Sequence, residues 1–278
     1  MEQKLNPTPL ESLAAALAYA MGIEPPMYAN AANEDLTKYI DERLQGQKAD
    51  RVFIYNSDAI GQWLIEKYPD LSKNALERME LALPMRSVDP PKTPIAFGTM
   101  YTGASPQVHG IVQYEKKLIT IDTLFDALVR AGKKVALLTR PRYSMAVIFA
   151  ERPIDYYFCE SWADVNAKAV ELILRDEYDF ILTYNANFDD VMHKKGPESP
   201  EALSQMFYNY ETFCMFDTLI KEHWGEHNTL IGTGMDHGCH TIAPLYTASG
   251  ELRLGTHGEN TAEDRNIIHY YKIYPKNK

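Results

Sequence analysis

Short apolar runs alternate with longer amphipathic stretches along most of the chain. The run at 51–55 is apolar after its first residue, which is typical of a strand buried on both faces of a sheet. Similar runs predict strands at 134–139, 179–184, 229–232 and 266–274. Apolar residues at helical spacing predict helices at 35–44, 60–68, 124–131, 162–175 and 200–223.

Strands that alternate with helices predict an α/β fold with a mostly parallel central sheet and helices on both faces. Ser161 and Ser199 stand directly before two of the helices and are expected to cap them. The chain contains no repeat, no low-complexity tract and no Gly/Ser linker. We therefore expect a single domain over 1–278, with a helical N-terminal segment at about 8–48.

The N-terminal helix has an alternative interpretation as a signal peptide. The Ala-rich stretch 13–22 resembles a short hydrophobic region, and 18–20 resembles a cleavage site. The basic segment that precedes such a region is missing, however. Thr8, Pro9 and Glu11 instead fit a helix N-cap, a first helical proline and a capping glutamate. These signals favour a native helix and predict a cytoplasmic protein.

Charge and cysteine content exclude several classes of protein. The 278 residues include 28 basic and 38 acidic side chains, so the formal net charge is −10. A surface of this sign repels phosphate backbones, which disfavours binding to duplex nucleic acid. The net charge does not exclude small anionic substrates, because a bound metal ion reverses the local charge. Cys159, Cys214 and Cys239 fit neither a disulfide framework nor a zinc finger, and no apolar run is long enough to span a membrane.

Acidic residues and histidines follow three of the predicted strands. Asp58 follows the first, Asp189 and His193 follow the strand at 179–184, and Asp236 and His237 follow the strand at 229–232. Ligands of open parallel sheets bind at the carboxyl ends of the strands. Carboxylate oxygens and imidazole nitrogens suit zinc or manganese. The pattern therefore indicates a metal site, with a solvated row of turn residues as the alternative.

His257 is a further candidate ligand, because it stands between glycines just before the last predicted strand. Flanking glycines allow the backbone to approach a ligand closely. Taken alone, this residue is better interpreted as an ordinary loop histidine.

Thr93 is the candidate nucleophile. It precedes Pro94 and an apolar stretch that predicts a helix, so we expect Thr93 as the N-cap and Pro94 as the first helical residue. A hydroxyl there faces backbone N–H groups and the positive end of the helix dipole, which suits a phosphoryl oxygen. A metal contact would turn this hydroxyl into a nucleophile by lowering its pKa. Without one, the residue is an ordinary helix cap.

Four segments together resemble the type I phosphodiesterases and nucleotide pyrophosphatases of the alkaline phosphatase superfamily. Residues 92–110 begin with Lys-Thr and contain Thr-Gly, Pro and His-Gly, as in the family's nucleophile segment. Residues 189–199 resemble its Asp-x-x-x-His followed by Gly-Pro and Ser. Residues 236–238 match its Asp-His-Gly, and 255–258 match its late His-Gly. The order of the segments agrees from about residue 51 to the C-terminus.

The resemblance implies an alkaline-phosphatase-like fold and two divalent metal ions, zinc in most members, with manganese as the alternative. Thr93 would attack phosphorus and form a phospho-threonine intermediate. The substrate would be a small phosphate ester, with a phosphodiester or nucleotide-type molecule favoured. One metal would be held by Asp189, His193 and His257, and the other by Asp58, Asp236, His237 and the oxygen of Thr93.

The sequence departs from the family pattern in two places. Ala96 stands three residues after Thr93, where the resemblance implies an asparagine that binds a phosphoryl oxygen. The stretch that follows Asp58 also differs. The chain leaves little room for a large cap domain, which argues against the mutases, and the sulfatase signature is absent at Thr93. A phosphonate or sulfate-ester hydrolase of the superfamily, or a non-catalytic metal-binding relative, remains as the alternative.

Several further residues compete for a place in the site. Asp190 is the rival of Asp189, but only Asp189 stands four residues before His193, which favours it if the segment is helical. His109 is interpreted as structural, and His240 as a residue that supports the ligands. Other candidates are His223 and His227, interpreted as surface residues, and the rim tyrosines Tyr143, Tyr156, Tyr157 and Tyr246, interpreted mainly as packing residues.

Overall fold

The computed structural model describes residues 4–277, which contain a central sheet of eight strands and a separate sheet of two. The strands, numbered in chain order, are β1 (Thr8–Pro9), β2 (Arg51–Ser57), β3 (Leu81–Arg86), β4 (Val135–Thr139), β5 (Asp155–Phe158), β6 (Phe180–Asn185), β7 (Thr229–Gly234), β8 (His240–Tyr246), β9 (Leu252–Thr256) and β10 (Asn266–Tyr274).

The α-helices of the described residues connect these strands and cover them. They are α1 (Leu13–Ala20), α2 (Glu34–Leu44), α3 (Gln62–Lys67), α4 (Lys73–Leu76), α5 (Thr93–Thr102), α6 (Pro106–His109), α7 (Leu124–Arg130), α8 (Ser144–Ile148), α9 (Trp162–Arg175), α10 (Asn187–Lys195), α11 (Pro200–His223) and α12 (Ala262–Arg265). The predicted caps are observed, since Ser161 accepts a hydrogen bond from Asp164 N and Ser199 accepts one from Ala202 N.

The order of strands in the central sheet determines which chain segments meet. The order is β1-β3-β10-β7-β2-β6-β4-β5. Strands β7, β2, β6, β4 and β5 are parallel, whereas β10 runs antiparallel between β7 and β3. The carboxyl ends of β7, β2 and β6 therefore lie side by side. Because β10 runs the other way, its first residues lie at the same edge.

Burial along the central strands shows that both faces of the sheet are covered. Every residue of β4, β6 and β7 is buried, and β2 is buried after its first residue. Helices α1, α2, α5, α7 and α8 pack in one group, and α4, α9, α10 and α11 pack in a second. The predicted α/β class is thus confirmed. The separate hairpin of β8 and β9 is too small to form a cap domain.

The N-terminal helix is present, but it begins later than predicted. Thr8 and Pro9 are not its cap and first residue, because they form β1 and pair in parallel with Met85 and Arg86 of β3. A 3₁₀ turn at Leu10–Ser12 then leads into α1. Both the edge of a sheet and the first turn of a helix accommodate a proline, so the local sequence fits either arrangement.

Five strands were not predicted from the pattern, namely β1, β3, β5, β8 and β9. Strand β3 contains Pro84, which weakens the strand signal because proline cannot donate to a ladder. Strand β1 pairs only with Met85 and Arg86, so Pro84 has β10 alone as its neighbour. Residues 140–160 and 240–253 contain β5, β8 and the start of β9. These strands are short or largely exposed, and they lack a strong apolar pattern.

Two features bear on the environment of the protein. Cys159, Cys214 and Cys239 are free thiols. No helix within residues 4–277 combines the length and apolar character that a membrane crossing requires.

Packing at the centre of the sheet generates a stability prediction. Leu182 of β6 is completely buried, so Leu182→Ala is expected to lower the free energy of unfolding by about 2–5 kcal/mol. Leu174 of α9 is 49% exposed, and Leu174→Ala is expected to change it by less than about 0.5 kcal/mol. Urea denaturation of both variants measures the difference. Equal effects would show that β6 is not part of the core.

Candidate metal centre and active site

The candidate ligands reach one edge of the sheet because adjacent strands deliver them there. Asp58 follows β2 directly, and Asp236 lies two residues beyond β7. Asp189 lies in the first turn of α10, which begins soon after β6. His257 arrives from the opposite direction, in the segment between β9 and β10. The structure therefore brings together residues that are far apart in the chain.

Asp58, Asp236 and His237 form one group, which we name the inner cluster. One ligand atom from each lies within 4.8 Å of the others. His237 Nε2 lies 3.2 Å from Asp236 Oδ2 and 3.5 Å from Asp58 Oδ1, and all three side chains are at most 2% exposed. Backbone and side-chain donors hold the opposite oxygens, since Ala59 N donates to Asp236 Oδ1 and the Tyr184 hydroxyl donates to Asp58 Oδ2.

Asp189, His193 and His257 form a second group, which we name the outer cluster. Asp189 Oδ1 lies 3.3 Å from His193 Nε2 and 3.6 Å from His257 Nε2. Helix α10 places Asp189 and His193 one turn apart on the same face. Asp190 points elsewhere, because it accepts hydrogen bonds from the Tyr143 hydroxyl (2.8 Å) and Trp162 Nε1 (3.0 Å). The choice of Asp189 over Asp190 therefore agrees with the geometry.

The three histidines share one hydrogen-bonding arrangement. Each Nδ1 donates to a backbone carbonyl: His193 to Gly255 O (3.0 Å), His237 to Gly238 O (3.0 Å) and His257 to Pro91 O (2.9 Å). Burial lowers the pKa of all three, so each imidazole is held neutral. Each Nε2 therefore presents a lone pair to the carboxylates. Such backbone contacts are typical of histidines that bind a metal.

The carboxylate oxygens that face these lone pairs lack donors. Within residues 4–277, Asp58 Oδ1, Asp189 Oδ1 and Asp236 Oδ2 are buried and accept no hydrogen bond. Burial raises the pKa of Asp58 and of Asp236, and burial together with Asp190 raises the pKa of Asp189 to about 7. Buried oxygens normally have a donor or a cation. The residues of both clusters therefore fit divalent metal ions bound through oxygen and nitrogen.

The two clusters adjoin each other. The rings of His237 and His257 stack with centroids 3.8 Å apart, so one histidine of the inner cluster lies directly against one of the outer cluster. The Thr93 hydroxyl lies 3.1 Å from His237 Nε2. The seven side chains named from the sequence are thus close together in space. Their roles as metal ligands and nucleophile stay predictions.

Thr93 is one residue further into the helix than predicted. The N-cap of α5 is Lys92, whose carbonyl accepts hydrogen bonds from Ile95 N and Ala96 N, both at 2.9 Å. Thr93 is the first helical residue, and Pro94 has no N–H. The first turn therefore presents fewer free N–H groups than expected from the sequence.

A cavity of about 320 Å³ opens onto this site. Thr93 and the outer cluster line it, whereas the inner cluster lies behind them. Its remaining wall consists of Lys92, Tyr114 and Arg253. Ala96 is completely buried and does not line the cavity, and its methyl side chain offers no donor to a phosphoryl oxygen. A larger cavity of about 790 Å³, with Met27 and Arg152 in its wall, lies away from the clusters.

Several residues of this site were not predicted from the sequence. They are Tyr184, whose hydroxyl reaches Asp58, and the cavity residues Tyr114 and Arg253. No local pattern marks these residues, because their contacts depend on how distant segments fold together. For Lys92 the sequence offered one signal, its position directly before Thr93. The basic residues of the wall matter because they face a cluster of carboxylates.

The remaining candidates lie outside the clusters. His240 does not contact Asp236; it bonds Asp264 at 2.7 Å, and Asp264 in turn accepts from Gly258 N and Glu259 N beside His257. His109 bonds Thr99 Oγ1 at 3.0 Å in the interior. His227 bonds Asp176 at 2.7 Å. Tyr143, Tyr156 and Tyr157 bond protein groups, whereas Tyr246 is 69% exposed.

Comparisons with known proteins agree with this geometry. The sequence profile of the type I phosphodiesterase / nucleotide pyrophosphatase family matches residues 56–242, more than half of the 278-residue chain. No curated protein sequence matches the chain.

Solved structures show the same fold. Murine ectonucleotide pyrophosphatase/phosphodiesterase 5 aligns with a TM-score of 0.65 and 15% identity, over 79% of this chain and 87% of that chain. An inactive threonine-to-alanine variant of the murine protein, in complex with AMP, aligns with a TM-score of 0.65 and 15% identity, over 80% of this chain and 87% of that chain. The human protein aligns with a TM-score of 0.63 and 15% identity, over 79% of this chain and 87% of that chain. The chain therefore belongs to the type I phosphodiesterase and nucleotide pyrophosphatase family, a family of metal-dependent phosphodiester hydrolases.

Proposed function

We propose that the protein is a two-metal phosphohydrolase that cleaves a small phosphate ester, preferentially a phosphodiester or nucleotide-type molecule, with Thr93 as the nucleophile. One observation carries the proposal. Three buried carboxylate oxygens, which have no donor in the part of the chain that the structure describes, face three histidine Nε2 atoms in two adjoining clusters. A threonine hydroxyl lies 3.1 Å from one of these nitrogens.

The donor set suits zinc, with manganese as the alternative, since both accept imidazole nitrogen and carboxylate oxygen. The outer cluster of Asp189, His193 and His257 would hold one ion, and the inner cluster would hold the other. When bound, the two ions would neutralise the carboxylates, lower the pKa of the hydroxyl and stabilise charge on the phosphoryl oxygens.

The chain itself positions the reacting group. Thr93 is the first residue of α5, and its hydroxyl lies 3.1 Å from His237 Nε2. In the first step the Thr93 oxygen forms a bond to phosphorus while the bond to the leaving alcohol breaks. In the second step water hydrolyses the phospho-threonine, releases the phosphoryl product and restores the hydroxyl.

The size and charge of the site support a small substrate. A cavity of about 320 Å³ accommodates part of a nucleotide-sized molecule rather than a polymer. The net charge of −10 also disfavours a long polyanion. The murine structural neighbour was solved with AMP as an inactive threonine-to-alanine variant, which supports a nucleotide-type substrate and a threonine nucleophile here.

Removal of the Thr93 hydroxyl is expected to abolish turnover without loss of metal. Thr93→Ala should lower kcat/KM for bis(4-nitrophenyl) phosphate by about 1,000-fold or more, and Thr93→Ser should retain measurable activity. Thr120 is an exposed threonine and lines the other cavity, so Thr120→Ala is the matched control. Full activity of Thr93→Ala would eliminate the proposed nucleophile.

Metal content tests the two clusters separately. The wild-type protein, equilibrated with zinc and desalted, is expected to contain two ions per chain by mass spectrometry of the metal. Asp189→Asn and Asp236→Asn are each expected to retain one, because each substitution removes a charged ligand from a different cluster. Less than one ion in the wild-type protein would refute the bimetallic site.

The raised pKa of Asp189 gives a pH-dependent effect on stability. The folded metal-free protein keeps the Asp189 proton up to about pH 7, whereas the unfolded chain releases it near pH 4. This residue therefore destabilises the metal-free protein increasingly as pH rises from about 4 to 7. In chelator, Asp189→Asn is expected to raise Tm relative to wild type, more at pH 8 than at pH 5.

Zinc is expected to reverse the sign of that effect, because the same carboxylate then stabilises a bound cation. In saturating zinc at pH 8, Asp189→Asn should lower Tm relative to wild type. Asp35 of α2 is exposed, and Asp35→Asn should shift Tm equally under all three conditions. A variant that is less stable than wild type both in chelator and in zinc would contradict the argument.

A further inference from the structure

The cavity beside Thr93 contains two cationic side chains, Lys92 and Arg253, that the steps above do not use. Lys92 is already engaged, because its ammonium group donates to the carbonyl of His257. That contact ties the first residue before α5 to a member of the outer cluster. Lys92 therefore helps to position His257 and has less capacity left for a ligand.

The helix N-terminus offers few donors to an anion in this cavity. Ile95 N and Ala96 N both donate to the carbonyl of Lys92 at 2.9 Å. Pro94 has no N–H to donate. Of the first four helical residues, only Thr93 keeps an N–H outside these bonds. A phosphoryl group beside Thr93 therefore needs donors from another element.

Arg253 is the cationic side chain of the cavity wall that has no such engagement. Among residues 4–277 no hydrogen bond or ion pair engages its guanidinium, although the carboxylate of Asp189 lines the same cavity. Its charge contributes to lowering the pKa of His193 and counteracts the rise in the pKa of Asp189. An arginine supplies five N–H donors in a planar arrangement that matches phosphate oxygens.

The position of Arg253 is fixed relative to the outer cluster. Gly255 lies two residues further along β9, and its carbonyl accepts from His193 Nδ1 at 3.0 Å. A Cβ on Gly255 would lie 2.6 Å from Met192 O, so only glycine allows β9 to lie this close to α10. Residues two apart in a strand share a face. Arg253 of β9 and His257, which follows the strand, both line the cavity.

We propose that Arg253 binds the substrate by donating hydrogen bonds to the non-bridging oxygens of the phosphoryl group that Thr93 attacks. This inference rests on the proposed function of the same site. Two divalent ions with Lys92 and Arg253 would outweigh the three carboxylates, so the loaded site is positive and complements a phosphoryl anion. Arg253 thereby supplies the oxygen donor that position 96 does not.

Binding of inorganic phosphate tests this role independently of turnover. Calorimetry on the zinc-loaded protein is expected to show that Arg253→Gln raises the Kd for phosphate by about 10- to 100-fold. Arg253→Lys should lose less affinity for phosphate, since lysine keeps the charge but not the paired donors. Lys221 is an exposed residue of α11, and Lys221→Gln controls for the loss of one positive charge. Zinc content and Tm should be the same in all variants.

Kinetics provide a second readout. Arg253→Gln is expected to lower kcat/KM for bis(4-nitrophenyl) phosphate by a similar factor, and added guanidinium ions should restore part of it. Phosphate binding within about twofold of wild type in Arg253→Gln would overturn the proposal. The proposal would also be overturned if Tyr114→Phe, rather than Arg253→Gln, lost affinity for phosphate. It would be overturned as well if the zinc-loaded wild-type protein bound no phosphate.

The two proposals fail in different ways. If the wild-type protein hydrolyses the ester and Arg253→Gln matches it in turnover and phosphate binding, the role of Arg253 is wrong and the proposed function stands. If the zinc-loaded wild-type protein binds phosphate through Arg253 but hydrolyses no ester, the proposed function is wrong and the binding role of Arg253 stands.

Discussion

The site depends on groups that repel one another unless a proton or a metal cation lies between them. Neutral histidine nitrogens present lone pairs to carboxylate oxygens at 3.2–3.6 Å, and burial removes the water that would otherwise stabilise both. A flexible chain would relieve this repulsion by turning the side chains outward. The surrounding fold must therefore hold each group in place, and the residues near the edge of the sheet hold them.

Each ligand is held from the side opposite to the cluster. Hydrogen bonds from Ala59 N and Tyr184 fix the second oxygens of the two inner carboxylates. Backbone carbonyls fix the Nδ1 atoms of the three histidines. The supporting groups belong to the ends of rigid strands or to segments that join them, so the orientation of the cluster follows from the sheet. This arrangement keeps the ligand atoms directed inward before any metal binds.

The elements that could be predicted from the sequence are those with strong local periodicity. Strands β2, β4, β6 and β7 are short apolar runs, and α9 and α11 have both an apolar face and a serine cap. Five of the candidate ligands, Asp58, Asp189, His193, Asp236 and His237, followed from one rule, that parallel strands present their carboxyl ends at one edge. Strand β3 was missed because of Pro84, and Tyr184 and Arg253 were missed because their roles arise from distant contacts.

The position of Thr93 shows how one residue of helix register affects chemistry. A threonine at the N-cap usually directs its hydroxyl to the backbone of the first turn, which occupies the oxygen. At the first helical position the carbonyl of Lys92 accepts those N–H groups instead. The Thr93 hydroxyl thus stays free of the helix and lies against His237. Because proline is tolerated at either of the first two positions, the sequence alone could not distinguish the two registers.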